Sequence, residues 1–523
     1  MTYDDRSSSD PEEISNLFNE YFNSVFVASR DDNIPNLTDA GVSSPLNINS
    51  ISISDNTVHK LLKTVDINKG SGYDNIHPIL VSKLAKELAT PLAIIFRKSL
   101  SEGCFPNTWK MALITPIHKG GNKQIVKHYR PISKLCIFAK LFEKIITTEL
   151  TTQFCNHIST QQHGFYRGRS VDTNLVLYTS FIAKALDDGH QVDAVYTDFS
   201  KAFDKINHSI LLQKLKMFGI HGDLLRWIES YIRNRSQAVV IKGYRSKFLP
   251  VPSGIPQGSH LGPFLFTLYI NDIGSCLSDS SHLLYADDTK IFKIIKSVED
   301  CYILQNDLVT FSQYCNSNQL FLNSEKCNII SFTRKRNPLT YDYCIGNNII
   351  SRVNCIRDLG VTLDSKLTYN SHIDSVVPIA YKKLGLILRL GKPFKKLETL
   401  KILYCSYVRS ILEFASVVWN PQYEVHSARI EKIQNIFLRH LNYRSRIITG
   451  LELNSNSNIN LESLKTRRNY LDSMFLYKII NKYIDCPPLL EQISFKVPNF
   501  NTRSRDTFHT TFSRTNHFRS TFF

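Results

Sequence analysis

Apolar residues at the start of the chain recur at the three- and four-residue spacing of an amphipathic helix. Asp10 followed by Pro11 predicts a capped helix start, and the stretch EEISNLFNEYFNSVFV continues the helical pattern. Residues 31–54 are rich in Asn, Ser and Asp, which predicts a linker. We therefore expect an N-terminal helix and linker over residues 1–55.

Further along, helical and extended patterns alternate. Helical spacing returns in residues 57–65 and 78–100, which predict a helical lead-in over 56–108. Between 109 and 364, short apolar runs typical of strands are separated by helical stretches. The predicted strands are MALITPIHK (111–119), QVDAVYTDF (191–199), SHLLYADD (281–288) and NIISFTRK (328–335). The predicted helices cover 138–154, 174–189, 208–219, 224–235 and 262–273. This pattern predicts an α+β or α/β fold, and we expect the α+β class.

The last third of the chain is helical in pattern and basic in charge. The pattern predicts helices over 365–495, whereas residues 496–523 lack periodicity and predict a poorly ordered tail. The chain of 523 residues carries a net charge of +17. Residues 365–523 hold 24 Lys and Arg against 11 Asp and Glu, and the first 364 hold 39 against 35. This asymmetry favours a polyanionic partner, nucleic acid before an anionic membrane surface, over a merely basic surface.

Cysteine usage and the N-terminus indicate the compartment. The 11 cysteines are an odd number without a C-x-x-C pair or zinc-ligand spacing, which favours reduced thiols over disulfides. The N-terminus MTYDDRSSSDPEE is not a signal peptide, and no apolar run approaches the roughly 18 residues of a membrane span. We expect an intracellular soluble protein that does not enter a membrane.

Two acidic segments suggest metal chemistry. Asp287 and Asp288 interrupt the apolar runs of SSHLLYADDTKIFKII, and Asp198 ends the run DAVYTD. Taken singly, the pair fits a solvated β-turn and Asp198 fits an acid at a helix N-terminus. If the two strands are neighbours, the three carboxylates converge, and they then need divalent cations such as Mg²⁺.

A glycine-rich loop, VPSGIPQGSHLGPFLF, lies between the two acidic segments. Gly254, Gly258 and Gly262 allow the backbone to approach a ligand closely, and Gln257 can hydrogen-bond a base or sugar. An ordinary loop before a helix, capped by Ser259, explains the same residues.

In this order, DFSKAFD, GIPQGSHLGPFLF and LLYADD resemble the palm motifs of reverse transcriptases, specifically those of jockey-like non-LTR (LINE-type) retrotransposons. The resemblance spans nearly the whole chain. Upstream, GYDNIHPILVSKLA, FPNTWKMALITPIHKGG, KHYRPISKLCIFAKLFEKII and STQQHGFYRGRSVDTNL are similar to fingers segments. Downstream, NQLFLNSEKCNIISF and RDLGVTLDSKLTYNSHI resemble later palm motifs, and LYCSYVRSILEFASVVWNPQ and ARIEKIQNIFLRHL resemble the thumb and C-terminal helices. The resemblance implies a right-hand polymerase with fingers and palm over 109–364 and a thumb with a basic region over 365–495.

The resemblance also implies an RNA-directed DNA polymerase that uses two Mg²⁺ ions, or Mn²⁺, and roles for individual residues. Asp198, Asp287 and Asp288 are the implied metal ligands, joined by the backbone carbonyl of Phe199. Lys326 matches a general acid toward the leaving pyrophosphate, although a solvated lysine fits equally.

The implied substrate contacts lie in the fingers and the palm. Phe203 occupies the steric-gate position that excludes a ribose 2′-OH, with a core aromatic on an amphipathic helix as its alternative. Lys119 and Arg130 match the residues that clamp a triphosphate, with a solvated surface role as the alternative. Gln257 and Gly258 match the loop that contacts dNTP and template.

Two further arginines, Arg167 and Arg169, match template-strand contacts, or form a basic turn. Family members usually carry Thr at the positions of Val171 and Cys327 and an apolar residue at those of His260 and Lys134. These departures remove no catalytic group, although they put template handling in doubt.

The implied partners are an RNA template, a DNA primer or target, and dNTPs. The lead-in of about 100 residues has no room for the endonuclease that usually precedes this polymerase, so we expect one from elsewhere. A ribonucleoprotein in nucleus and cytoplasm is expected. FTRKRNP can be read as a nuclear signal, but three basic residues after a strand more often form a solvated turn. Two alternatives remain open, an intron-encoded or viral RNA-dependent polymerase and a non-catalytic RNA-binding remnant.

Overall fold

The computed structural model describes residues 1–27, 46–421, 423–449 and 461–496, together with residues 508, 509 and 514. Most of the predicted linker and most of the predicted tail lie outside the described residues. The N-terminal helix starts at Pro11 as expected, with Asp10 accepting from the N–H groups of Glu12 and Glu13.

Residues 46–54, the part of the predicted linker that the structure describes, pack into the core and do not form a linker. Ile48, Ile51 and Ile53 are buried in the largest apolar cluster, and Ile48 forms a parallel bridge with Ile220. The polar residues between these isoleucines obscure the core positions in the sequence pattern. Burial of the three isoleucines holds the segment against the core.

Helices make up most of the remaining chain. Those within the first 364 residues are Pro11–Ser24, Asp55–Lys63, Pro78–Lys83, Ala85–Ser101, Ile137–Gln153, Val171–Asp187, His208–Met217, Gly222–Ile232, Leu261–Tyr269 and Val298–Ser317. Those after them are Asn370–Leu390, Leu397–Tyr404, Ser410–Glu413, Ser416–Trp419, Glu424–Thr449, Leu464–Ile480 and Pro487–Leu490, with a π-helical turn at Cys405–Arg409. The predicted helices are all present, within a few residues of their expected ends.

A five-stranded central sheet contains three of the four predicted strands. Its spatial order is Ser351–Arg352, Asn328–Phe332, Gln191–Thr197, Asp288–Ile295 and Ser281–Tyr285. Neighbours are antiparallel except for the first pair, which is parallel. The strand that leads to Asp198 therefore occupies the middle of the sheet, with the Asp287–Asp288 hairpin beside it.

A second sheet holds the remaining predicted strand, Met111–His118. That strand pairs antiparallel with Tyr129–Lys134 and parallel with Arg235–Ile241, and the latter also pairs with Tyr244–Arg245 and Leu249–Val251. Smaller two-stranded pairings join Thr2–Tyr3 with Arg6–Ser7, Cys344–Ile345 with Asn348–Ile349, and Cys355–Asp358 with Val361–Asp364.

Apolar side chains cover both faces of the central sheet. Val195 and Ile291 belong to one cluster, and Ala194 and Phe292 belong to another that reaches the C-terminal helices. Burial on both faces explains why these strands are continuous apolar runs rather than alternating ones. The mixture of helices and sheets confirms the α+β prediction. No helix among the described residues combines the length and apolarity that crossing a bilayer requires.

Candidate active site

Three carboxylates lie at one end of the central sheet. Asp198 follows directly on the middle strand, whose Thr197 pairs with Thr289 of the neighbouring strand. Extending this antiparallel register by one position sets Asp198 opposite Asp288. Asp287 occupies the tip of the hairpin whose second strand begins at Asp288. The fold therefore brings the three predicted acidic residues together.

Burial and mutual repulsion act on these carboxylates. Removal from water is the largest cause that raises the pKa of Asp287; repulsion from Asp198 raises it further, and Arg130 and Lys119 oppose the shift. Desolvation by the surrounding protein is the largest cause that raises the pKa of Asp288 to about 6, and repulsion from Asp287 is the next cause. The raised pKa values mean that the ionised forms of these carboxylates are disfavoured, and a bound cation would stabilise those forms.

The donor atoms suit a hard divalent cation. Carboxylate oxygens are the ligands that Mg²⁺ prefers. Asp198 Oδ2 accepts from Lys326 Nζ at 2.8 Å, so in this structure the lysine ammonium occupies a position beside Asp198 where a metal ion would bind. Within the described part of the chain, no group of three or more His, Cys, Asp or Glu side chains is arranged to hold a metal. The residue types therefore fit a metal, and in the present arrangement one oxygen of Asp198 is paired with Lys326.

The chain after Asp198 is fixed by a short antiparallel bridge. Ser200 N–H donates to Phe321 O at 2.7 Å, and Asn323 N–H donates to Asp198 O at 2.8 Å. These bonds pair the residues on either side of Phe199, so the N–H and carbonyl groups of Phe199 itself take no part in this bridge.

Lys119 and Arg130 lie on one hairpin of the second sheet and face the carboxylates. Ile117 pairs with Arg130, and Lys119 N–H donates to His128 O at 2.9 Å. Desolvation lowers the pKa of Lys119 most, repulsion from Arg130 lowers it further, and attraction to Asp198 raises it. Both side chains are exposed at their ends of the strands, where an anionic ligand above the acidic cluster can reach them.

Phe203 lies in a turn and not on a helix, because the helix that follows starts only at His208. Its ring stacks on Phe266 with centroids 4.4 Å apart and meets the edge of Phe165 at 6.1 Å. The alternative of a core aromatic on an amphipathic helix is therefore wrong about the helix. The ring is half-buried, so part of it remains accessible.

The glycine-rich loop uses its polar and small residues internally. Gln257 Nε2 donates to the buried Asp204 Oδ1 at 2.7 Å, and Ser133 N–H donates to the Gln257 carbonyl at 2.8 Å. Gly258 is exposed with φ +111° and lies close to Ser133 O, 3.0 Å from where a Cβ would be. Gly262 N–H donates to Ser259 Oγ at 3.0 Å, as the capping alternative expects. The amide nitrogen of Gln257 is thus committed within the protein.

The two predicted template contacts differ from each other. Arg167 is exposed. Arg169 NH1 donates to Ser159 O at 2.6 Å and Gln162 O at 2.7 Å, and its Nε donates to Asp485 O at 2.9 Å. Its guanidinium also lies 4.0 Å from the Tyr166 ring centroid. The geometry gives Arg169 an internal structural role and leaves Arg167 free to meet a ligand.

Sequence reasoning missed two buried polar groups near the hairpin. Gln162, within the motif QQHGF, accepts from Ala286 N–H through its Oε1 at 3.1 Å. Lys290, two residues after Asp288, forms a buried ion pair with Asp358, which also accepts from Tyr196. A polar residue inside an apolar run, as in TKIFKII, was the available signal for Lys290.

Comparison with known proteins agrees with this geometry. Residues 117–363 match the family described as reverse transcriptase (RNA-dependent DNA polymerase). The chain is 28% identical over 399 residues to the RNA-directed DNA polymerase from mobile element jockey of Drosophila melanogaster, covering 73% of this chain and 43% of that protein. Probable RNA-directed DNA polymerases from transposons BS and X-element of the same fly are each 27% identical, over 76% and 74% of this chain and 45% and 42% of theirs.

The matched segment contains every candidate site residue from Lys119 to Lys326. The chain spans less than half the length of these three relatives. The family match confirms the resemblance drawn from the motifs, and reverse transcriptases generally use divalent metal ions. Residues 117–363 therefore match the reverse transcriptase family, and about three quarters of the chain is similar to the RNA-directed DNA polymerases of the jockey, BS and X-element non-LTR retrotransposons.

Proposed function

We propose that the protein is an RNA-directed DNA polymerase, which extends a DNA primer along an RNA template with dNTPs. The observation that carries this proposal is the meeting of Asp198, Asp287 and Asp288 at one end of the central sheet, in a segment that matches the reverse transcriptase family. The reaction is attack of the primer 3′-hydroxyl on the α-phosphate of the dNTP, with pyrophosphate as the leaving group.

The proposed architecture is a right hand. Residues 109–364 would form the fingers and the palm, with the central sheet in the palm and the second sheet in the fingers. Residues 365–495 would form the thumb and a basic C-terminal region, and residues 1–55 and 56–108 would buttress the fingers. The N-terminal helix supports this division, because Phe18 and Phe22 pack on Ile114 and Val239 of the second sheet.

Asp198, Asp287 and Asp288, with the carbonyl of Phe199, are the groups that would hold two Mg²⁺ ions, or Mn²⁺. When bound, such ions lower the pKa of an attacking hydroxyl and neutralise a leaving oxygen. Lys326, whose ammonium lies beside Asp198, would be the group that gives a proton to the leaving pyrophosphate.

The basic pair on the second sheet would bind the triphosphate. Arg130 offers a planar fork and Lys119 a point charge, and both interact electrostatically with Asp287 across the site. Phe203, held flat against Phe266, would lie under the sugar and exclude a 2′-hydroxyl. Gln257 and Gly258 would shape the template side of this pocket through backbone, since the amide of Gln257 is committed to Asp204.

Duplex binding is proposed for the helices after residue 365. The excess of basic residues there makes binding depend steeply on salt, because each neutralised phosphate releases a counterion. Arg167 is the proposed template contact outside that region. Cleavage of a target strand would need an endonuclease supplied from elsewhere.

Primer extension on poly(rA)/oligo(dT) with Mg²⁺ tests the proposal, with Asp287→Asn as the matched inactive variant. Template-dependent incorporation of dTTP that the variant loses supports the polymerase. A pure protein that binds the RNA but extends no primer supports the RNA-binding remnant instead, and a preference for ribonucleotides supports an RNA-dependent RNA polymerase.

A further inference from the structure

The tip of the acidic hairpin has a backbone that needs outside support. Ala286, between Tyr285 and Asp287, has φ +56°. This left-handed conformation is unfavourable for a residue with a Cβ, and two-residue hairpin turns usually meet it with glycine. Because Ala286 precedes Asp287 directly, whatever holds Ala286 also orients the Asp287 carboxylate.

The QQHGF segment supplies this support. The buried Gln162 uses one oxygen, Oε1, to accept from Ala286 N–H at 3.1 Å and Gly164 N–H at 2.8 Å. His163 N–H donates to Leu284 O at 2.9 Å. In the described part of the chain no protein atom bonds to Gln162 Nε2. The side chain of Gln162 therefore supports the hairpin through its oxygen alone.

Arg169 fixes the backbone of Gln162 in turn. Its NH1 donates to the Gln162 carbonyl at 2.7 Å and to the Ser159 carbonyl at 2.6 Å. These bonds span both ends of the turn that carries Gln162. Both bonds come from one nitrogen, so the guanidinium keeps Nε, a donor at a separate position in its plane, for another partner, which the single nitrogen of an ammonium does not offer.

The other side of Arg169 is held by the C-terminal region. Arg169 Nε donates to Asp485 O at 2.9 Å, and Asp485 N–H donates to Gly168 O at 3.0 Å. Tyr166 OH donates to Asp485 Oδ2 at 3.0 Å. The segment is anchored by apolar packing, because Cys486 and its neighbours share a cluster with Val176. The other buried members of that cluster are Phe475, Ile479 and Leu489.

We propose that Gln162, Arg169 and Asp485 form one positioning unit, the hairpin support, through which the C-terminal region sets the acidic hairpin for catalysis. This inference rests on the proposed polymerase function. It replaces the expected template contact of Arg169 by a role that acts through Gln162 and Ala286. It also gives the C-terminal region a part in the active site besides gripping nucleic acid.

Arg169→Lys is the discriminating variant, because it keeps the positive charge that a phosphate contact needs and loses the two separate donor nitrogens, NH1 and Nε, that reach Gln162 and Asp485. Gln162→Met removes the accepting oxygen from a side chain of similar size. We expect each variant to lower kcat about 10²-fold, as a misplacement of about 1 Å does, with the Kd for poly(rA)/oligo(dT) within about twofold of wild type. The double variant should lose no more than either single one.

Arg167→Lys is the matched comparison at the exposed neighbouring arginine. There we expect any change to appear in Kd and its salt dependence. If Arg169→Lys instead raises the Kd or changes its salt dependence and leaves kcat unaltered, Arg169 is a template contact and the proposal is overturned.

Hydrogen exchange gives a readout that needs no activity. The Ala286 amide is bonded to Gln162, so the peptide spanning residues 281–288 should exchange faster in Arg169→Lys and in Gln162→Met than in wild type. Unchanged protection in both variants refutes the hairpin support. If the variants exchange faster than wild type but the wild-type protein extends no primer, the polymerase function alone is refuted.

Discussion

Gly164→Ala should strongly lower the proposed polymerase activity although this residue contacts no substrate. A Cβ at Gly164 would lie 2.2 Å from Ala286 N and 2.9 Å from the Tyr285 carbonyl carbon, both backbone atoms of the acidic hairpin. Backbone cannot rotate away as a flexible side chain can, so either the hairpin or the QQHGF segment has to move. The movement falls on the residue next to Asp287.

The distances set the size of this effect. Ordinary van der Waals contact begins at 3.4 Å, whereas the new Cβ would lie only 2.2 Å from Ala286 N, so the two segments must part by about 1.2 Å. A displacement of about 1 Å at a catalytic group costs on the order of 10²-fold in rate. Overpacking of this kind also destabilises by about 1–3 kcal/mol, which a folded domain of ordinary stability survives.

Single-turnover extension of oligo(dT) on poly(rA) measures the rate, and thermal melting shows that the variant is folded. Gly70→Ala is the matched control, because its Cβ would meet only Lys134 Nζ at 4.0 Å. We expect the control to extend primers like wild type. A folded Gly164→Ala protein that extends within about threefold of wild type would refute the argument that this contact positions the hairpin.

The same region allows further tests of charge, burial and sugar selection. The pKa of Asp288 is raised to about 6, so the folded protein holds a proton that the unfolded chain releases between about pH 4 and 6, and its stability falls as pH rises through that window. Metal-free Asp288→Asn should therefore melt higher than wild type at pH 7 and lose this advantage toward pH 4; a pH-independent difference contradicts the shift. Asp358→Ala leaves the buried Lys290 ammonium without its ion-pair partner and should lower the free energy of unfolding, measured in urea, by about 3–5 kcal/mol. Most of this loss should be regained when Lys290 is also replaced by Met. A loss below about 1 kcal/mol rules out the buried pair. Phe203→Val should admit ribonucleotides in primer extension, and unchanged sugar discrimination excludes the steric gate.

The four predicted strands were recognisable because each carries a short, mostly apolar run. Several of their partners, such as Tyr129–Lys134 and Ser351–Arg352, were not predicted. Residues 46–53 were not recognisable, since three isoleucines among serines and asparagines give no clear period. The short pair Cys355–Asp358 and Val361–Asp364 was also missed. Its four-residue strands are set by packing on neighbouring helices rather than by their own pattern.

The acidic cluster was predictable in part because strand ends and a hairpin tip are local features. The partners of Arg169 and Gln257 were not. Arg169 is held by Asp485, which is 316 residues away, and Gln257 by Asp204, which is 53 residues away. A motif specifies that an arginine is present, and only the folded chain specifies which carbonyls receive its hydrogen bonds.

The contact between Asp485 and Arg169 has a consequence for the order of synthesis. Asp485 is made almost 200 residues after Asp287, which at about 5–20 residues per second is a delay of roughly 10–40 s. A growing chain therefore carries all three carboxylates well before it contains the segment that steadies their hairpin. The bond between Arg169 and Asp485 can therefore form only after translation has passed residue 485.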